Sequence, residues 1–500
     1  MSRPAVELER SQHDATRRAL WVGSAILLAI GLTAAESPSE LATYLMVVVA
    51  ALVPTVLWFR RGRVGVPVLP AVAAMHILYY AVPLVRGRAD LDAYSSADRF
   101  LAAGTVSLYL LVATLAGHLM LRHVQGQATR QIDAISGSQM KALVFLGLGF
   151  GVGYLGALNV GLLWWLGAFF GLTRSVALTA LVVACYFLGV ARGRGVLRGR
   201  GWFFASSAMA LAILISWSSL FLIYGLTFLL AAGVGYVTTR GRIPWLVIGV
   251  AALLVSILHA GKEEIRSRYW QQDLSEATKI SLLGMPRLAL EWFEAGVKNL
   301  GSIREGRSAI DRASLLQILL RVQYLTPAYI DYLRGETYVL LPGMLIPRFL
   351  DPDKTRSQAG MDLLNIRYGI LTAEGAEKTA VGWGLIGEAY ANFGLWGVGG
   401  IGLLVGLLSG ALARWSSLGS AVSVSTLLAV AMMVGLINLE QDLSGLVTSL
   451  AQSTAAVLVF VSVLRFLPQR QRTRSRQLSL AIAPRPAPLG GPATSSFKSR

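Results

Sequence analysis

Four clusters in this chain have residue types and spacing that could do chemistry. Lys262, Glu263, Glu264, Arg266 and Arg268 crowd the point where an apolar stretch ends, and Asp311-Arg312 is followed by Arg321. The run from Glu336 to Lys354 carries Tyr338, Arg348 and Asp353, and the run TAVGWGLIGEAYANFGLWG (Thr379 to Gly397) sets Glu388, Tyr390 and Asn392 among glycines and aromatics. Arginine and lysine in such clusters could hold an anionic group, and a carboxylate could move a proton. A plainer reading stands beside each. Basic residues where a helix meets lipid headgroups often only snorkel to phosphates, which would suffice for Lys262 and Arg268. Glu388 differs, because a carboxylate just before an apolar stretch is costly to desolvate. It is read as functional, against the alternative of a satisfied residue at a helix start. His259, at the end of another apolar stretch, reads as a packed or interfacial histidine rather than a base.

The elements that must position these residues are membrane spans. The chain has 500 residues, of which 54% are hydrophobic and 14% charged, and its mean hydropathy is +0.58. Soluble domains carry about a quarter charged residues, so this composition defines a polytopic membrane protein. The formal charge of +18 is not a nucleic-acid signature, because the excess sits in short loops and tails. From Gly261 to Tyr390, 16 Lys and Arg balance 16 Asp and Glu, whereas Arg465 to Arg500 carries eight basic residues and no acid. Cys185 is the single cysteine and lies in an apolar stretch, where it behaves as a small buried hydrophobe. The five histidines (His13, His76, His118, His123, His259) form no close pair, so neither a metal site nor a cofactor is expected.

Crossing the hydrocarbon core takes about 20 residues of helix. Twelve stretches qualify as candidates: Ala19–Ala35, Leu41–Phe59, Val64–Val85, Phe100–Leu121, Ala142–Leu158, Ser175–Val190, Trp202–Ser216, Leu220–Val237, Ile243–Leu258, Phe393–Ala413, Ala421–Ile437 and Leu446–Phe466. The first follows Arg17-Arg18 and could pass for a signal peptide; an uncleaved span is the preferred reading. Asn159 to Gly171, rich in Trp and Phe, reads as interfacial or re-entrant. Alternate loops then hold Arg60–Arg63, Arg122–Lys141, Arg192–Arg200, Arg240–Arg242, Arg414 and the Arg-rich tail, while the intervening loops Glu36–Glu40, Asn159–Gly171, Ser216–Ser219 and Asn438–Ser444 lack Lys and Arg. One further outer loop sets Arg86, Arg88 and Arg99 among Asp90, Asp92 and Asp98. By the positive-inside rule both termini are cytoplasmic and the polar segment is external. The expected organisation is an all-α bundle of about nine spans over 1–260, a large external loop over 261–390, about three spans over 391–467, and a disordered basic tail over 468–500. Within the loop, Asp311 to Leu325 has the apolar spacing of an amphipathic helix lying against the membrane, and Tyr338 to Leu350 is apolar but too short to span. Gly402, Gly406 and Gly410 predict a close helix-packing face.

Two runs, GETYVLLPGMLIPRFLDPDK (Gly335 to Lys354) and GEAYANFGLWGVGG (Gly387 to Gly400), resemble bacterial polysaccharide repeat-unit polymerases of the O-antigen polymerase (Wzy) type. In that family a Gly-Glu-x-Tyr element, a Pro-Arg-x-x-x-Pro-x-Lys element and a Gly-Glu-x-Tyr-x-Asn-Phe-Gly element recur around the end of a large periplasmic loop. The lysine and arginine of HAGKEEIR (His259 to Arg266) resemble the start of that loop. The resemblance implies a GT-C-like glycosyltransferase in the bacterial inner membrane. Its donor and acceptor would be polyprenyl-pyrophosphate-linked oligosaccharides (undecaprenyl pyrophosphate in many bacteria), its product an O-antigen of lipopolysaccharide or an exopolysaccharide, and its partners membrane lipid, a flippase and a chain-length regulator. It implies catalytic roles for Glu388 and Arg348. Substrate contacts would fall to Lys262, Arg266, Arg312, Arg321, Glu336, Tyr338, Asp353, Lys354, Tyr390 and Asn392.

Such an enzyme needs a base for the attacking sugar hydroxyl and cations for the departing pyrophosphate. Arginine suits the second task because its planar guanidinium binds phosphate bidentately and stays charged when partly desolvated. An O-antigen ligase-type transfer of finished polymer shares the architecture. A lipid-linked-oligosaccharide flippase or transporter would instead place ionisable residues in mid-span or break paired helices. The charge pattern makes a direct prediction. A reporter active only outside the cytoplasm will work when fused after Gln272 or Asp311 and fail after Arg194 or Arg414; activity after Arg194 would overturn the topology.

Overall fold

The computed structural model describes residues 21–62, 64–85, 91–122, 137–218, 220, 222–240, 244–269, 282–300, 315–346, 350–351, 355–356, 358–378, 381–419 and 423–466. Every regular element among them is helical. In chain order these are α1 (Trp21–Ala34), α2 (Pro38–Arg60), α3 (Val68–His76), α4 (Ser96–Leu121), α5 (Gly137–Asn159), α6 (Phe170–Gly193), α7 (Gly199–Trp217), α8 (Leu222–Arg240), α9 (Trp245–Tyr269), α10 (Met285–Leu300), α11 (Leu315–Leu325), α12 (Leu341–Leu345), α13 (Ala359–Arg367), α14 (Ala373–Lys378), α15 (Gly384–Leu418), α16 (Val424–Ile437) and α17 (Leu443–Phe466). Each of the twelve apolar stretches overlaps a helix among the described residues. Among the described residues, nine helices are long and apolar enough to cross a membrane; α1 and α16 are shorter, and α17 is apolar over Leu443–Val459. The protein is a polytopic, all-helical membrane protein.

Local signals start two of the helices about a turn ahead of their apolar stretches. Ser37 caps α2 by accepting the Glu40 amide, with Pro38 in the first turn, and Ser95 and Asp98 form a capping box on α4; both satisfy amides that the first turn leaves unpaired. Beyond α3 the chain widens through a π-turn (Ile77–Ala81) and then tightens through a 3-10 turn (Val82–Val85). The region expected to be interfacial is a 3-10 turn (Trp164–Phe169) between α5 and α6, with Trp165 and Phe169 exposed.

The core is built on the α4–α15 contact, where backbones touch through the predicted glycines. A Cβ on Gly406 would overlap the Ala113 carbonyl, one on Gly402 would lie 2.9 Å from the Tyr109 carbonyl oxygen, and one on Gly410 3.0 Å from Gly117. Without a hydrophobic drive between helices in lipid, such close van der Waals approach is what holds them together. Gly189 against Ala232 and Gly235 against Tyr186 join α6 to α8 in the same way. At one end of the bundle α2, α4 and α15 terminate together: Arg61 Nη2 lies 2.9 Å from His118 Nε2, and the Val66 amide donates to Ser416 Oγ at 2.8 Å. At the opposite end α15 and α17 start, and α3, α9 and α16 finish.

Two expectations need correction. Helix α11 does not lie against the membrane: Leu315, Leu316, Leu319, Leu320 and Val322 are all buried, packed on α4 and α15. Its apolar stripe serves the protein core, and periodicity alone does not distinguish the two destinations. A short helix from Gly384 precedes the apolar stretch and meets it at a break at Phe393–Gly394, so Glu388 lies on a helix and not in a loop. The tail 468–500 and residues 1–20 lie outside the described residues. By contrast Val339, Leu345, Ile346 and Leu350 around α12 are exposed.

Candidate active site

Helix α15 is two helices joined at a break. Phe393 (φ −142°, ψ 18°) and Gly394 (φ 59°, ψ −143°) leave the helical region. Gly394 adopts a backbone strained for any residue with a Cβ, and such a Cβ would lie 2.9 Å from the Tyr332 hydroxyl. The break deprives the last carbonyls of the first half of intrahelical partners. The chain before α12 supplies them: Leu333 N–H donates to the Ala391 carbonyl at 3.0 Å and Arg334 N–H to the Asn392 carbonyl at 3.1 Å. The Asn392 side chain completes the joint. Its Oδ1 accepts the Gly335 amide at 2.9 Å, and its Nδ2 donates to Thr337 Oγ1 at 3.0 Å and to the Glu388 carbonyl at 2.9 Å. The two motif runs, Gly335–Tyr338 and Gly387–Gly394, thus form one hydrogen-bonded unit, with Asn392 and Thr337 fully buried.

This joint sets the position of Glu388. Its carboxylate is fully buried; Oε2 accepts the Leu443 amide at 2.6 Å, while no described group makes a well-formed hydrogen bond to Oε1. Leu443 opens α17, directly after the turn Asn438–Asp442 that joins it to α16. Asp442, also fully buried, accepts the Gly445 amide at 2.9 Å through Oδ1, and Gly360 presses on its Oδ2, where a Cβ would come within 2.7 Å. Burial, with the charge of Asp362 added, raises the Asp442 carboxyl above the usual carboxylate range. Tyr338 lies within electrostatic reach of both acids, and burial together with their charges pushes its phenol up; its ring lies 6.1 Å from Phe393.

The same turn carries Glu440, which is exposed and points the opposite way. Tyr79 donates its hydroxyl proton to Glu440 Oε1 at 3.1 Å. Lys262 and Arg266 on α9 both lie within electrostatic reach of this carboxylate. Arg266 also donates to the Leu220 carbonyl at 3.1 Å. Burial lowers its guanidinium from the ordinary arginine value, and Glu440 opposes that shift. Gly382 fixes the turn, since a Cβ there would lie 2.8 Å from Glu440 Cβ. One five-residue turn therefore faces buried acids on one side and two cations on the other.

The remaining candidates are spread around this core. Glu336 pairs with Arg367 at 2.8 Å, both half-exposed, and Tyr390 lies beside Tyr332. Arg321 donates to the Tyr368 carbonyl at 3.0 and 2.9 Å and to the Gly369 carbonyl at 3.3 Å, clamping the end of α13. Arg312, Arg348, Asp353 and Lys354 lie outside the described residues. Among the described residues no group of three or more His, Cys, Asp or Glu is placed to hold a metal ion. Sequence reasoning missed Tyr79, Glu440 and Asp442. The available signal was the run Asn438-Leu439-Glu440-Gln441-Asp442: two acids in a short loop that topology would place on the same side as the large one.

No protein-family model, curated protein or solved structure matches the chain.

The joint makes its own prediction. Asn392→Ala leaves the Gly335 amide and Thr337 without partners, and Asn392→Asp keeps the acceptor but loses both donated bonds. Each buried group left unpaired costs about 1–3 kcal/mol, so both variants should melt at lower temperature than the parent protein while still inserting in membranes. Unchanged melting of both would contradict the joint.

Proposed function

We propose that this protein polymerises polyprenyl-pyrophosphate-linked oligosaccharide repeat units into a surface polysaccharide, by metal-independent glycosyl transfer at the external face of a bacterial inner membrane with both termini cytoplasmic. The observation that carries the reading is the joint itself. The two runs that resemble O-antigen polymerases are separated in sequence, yet they dock on each other at the bundle end where Lys262, Arg266 and Glu440 gather. The proposal extends to all twelve apolar helices as spans and to a GT-C-like architecture.

In the proposed reaction a hydroxyl of one lipid-linked unit attacks the anomeric carbon of another. The bond from that carbon to the pyrophosphate oxygen breaks, and the electron pair leaves with the polyprenyl pyrophosphate. Lys262 and Arg266 stabilise the charge that grows on the leaving group. Glu440, oriented by Tyr79, takes the hydroxyl proton. Glu388 is enclosed and bonded to the Leu443 amide, so it acts as a positioning residue that holds the turn carrying Glu440. Arg348 keeps its proposed role at the pyrophosphate on the strength of the resemblance.

Deleting the gene should leave a single repeat unit on its final lipid, visible as loss of the glycan ladder on a gel. Polymer stranded on the carrier lipid would point instead to a ligase, and absence of both to a flippase. General bases contribute about 100- to 10,000-fold, so Glu440→Gln should fail to restore the ladder at normal protein level. Full restoration by Glu440→Gln would remove Glu440 from the mechanism.

A further inference from the structure

Helix α10 has three faces. Met285, Leu288, Trp292 and Ala295 are buried against α9. Leu290, Phe293 and Val297 form a second stripe, exposed by 65%, 42% and 52%. Arg287, Glu291, Glu294 and Lys298 lie along a third, with Arg287 and Glu291 paired at 2.8 Å. At 100° per residue the three stripes are separated by a third of a turn or so, which is the pattern of a helix that must satisfy protein, lipid and water at once.

The depth of the helix is fixed by its contacts with α9. The Trp292 indole donates to the Leu258 carbonyl. Gly296 abuts Ile257, and a Cβ on Gly261 would lie 2.6 Å from the Gly296 amide nitrogen. Ile257, Leu258 and Gly261 belong to the stretch Trp245–Lys262, which is long and apolar enough to cross a membrane and is only 11% buried by protein. A helix touching the last turns of such a span sits where hydrocarbon gives way to headgroups. The charged stripe has both signs at adjacent positions and does not form a basic patch, so what covers the apolar stripe is acyl chain rather than a particular headgroup.

We infer that α10 is an interfacial helix whose Leu290–Phe293–Val297 stripe is embedded in the acyl chains of the leaflet at the Lys262 end, while Glu294 and Lys298 face water. In this arrangement the leaflet buttresses α9 from outside and holds Lys262 and Arg266 at headgroup depth. The inference stands whether or not the glycosyl-transfer reading does.

The test is spin-label accessibility of the full chain in lipid nanodiscs. In a Cys185→Ser background, single cysteines replace Leu290, Phe293, Val297, Glu294 or Lys298, each on an exposed side chain, and each carries a nitroxide. Lipid-embedded sites collide with dissolved oxygen and are shielded from a water-soluble nickel chelate. The oxygen-to-nickel collision ratio should be several-fold higher at 290, 293 and 297 than at 294 and 298. Equal ratios at all five positions would overturn the inference, because the helix would then stand in water. Low collision with both reagents at 293 and 297 would also overturn it, since the stripe would be covered by protein. The three positions on the stripe back one another if one variant fails to fold.

Discussion

The Asn392 side chain is the interaction on which the rest of this end of the molecule depends. A helix that breaks at Phe393–Gly394 inside a membrane protein exposes carbonyls that lipid cannot satisfy. Here the backbone of Leu333 to Gly335 satisfies them, and Asn392 ties that backbone to the helix with both ends of its amide. The break and the docked segment require each other. A straight helix would leave the 333–337 segment without acceptors, and an absent segment would leave the broken helix unpaired.

From that joint the positions of the acids follow. Glu388 lies one turn before Asn392, so fixing Asn392 fixes the carboxylate that accepts the Leu443 amide. That bond holds the start of α17 and hence the turn in which Asp442 points inward and Glu440 outward. A buried carboxylate without a cation beside it is expensive, and its retention beside a second acid argues for a positional demand rather than for stability. The exposed side of the turn is where ligand chemistry can occur, because Glu440 on the turn, Tyr79 on the π-turn after α3, and Lys262 and Arg266 on α9 converge there.

Much of the architecture was legible in the sequence. The apolar stretches marked the helices, and the four-residue spacing of Gly402, Gly406 and Gly410 foretold a close packing face, which α4 fills, because small residues at that period leave room for a neighbouring backbone. The stripe on Leu315–Leu325 was legible as amphipathic, but its partner was not, since a core and a bilayer ask for the same pattern. Helix α10 shows the converse: its exposed stripe becomes informative only once the depth of α9 is known. Of the site, Glu388, Lys262 and Arg266 stood out by type and setting, and Asn392 only through the resemblance. Glu440 did not, because its importance comes from a turn geometry that brings α3, α9 and α16 together across long separations. The break at Gly394 was likewise invisible, as glycine is common throughout these helices.

The central claim is that this site joins lipid-linked sugars. The most direct measurement supplies purified protein, in lipid and with a divalent-cation chelator present, with a synthetic oligosaccharide on polyprenyl pyrophosphate, and resolves the products by size. The account predicts a ladder spaced by one repeat unit, with one polyprenyl pyrophosphate released for every linkage formed. Recovery of the substrate unchanged in length, or elongation that appears only when a divalent metal is restored, would contradict it.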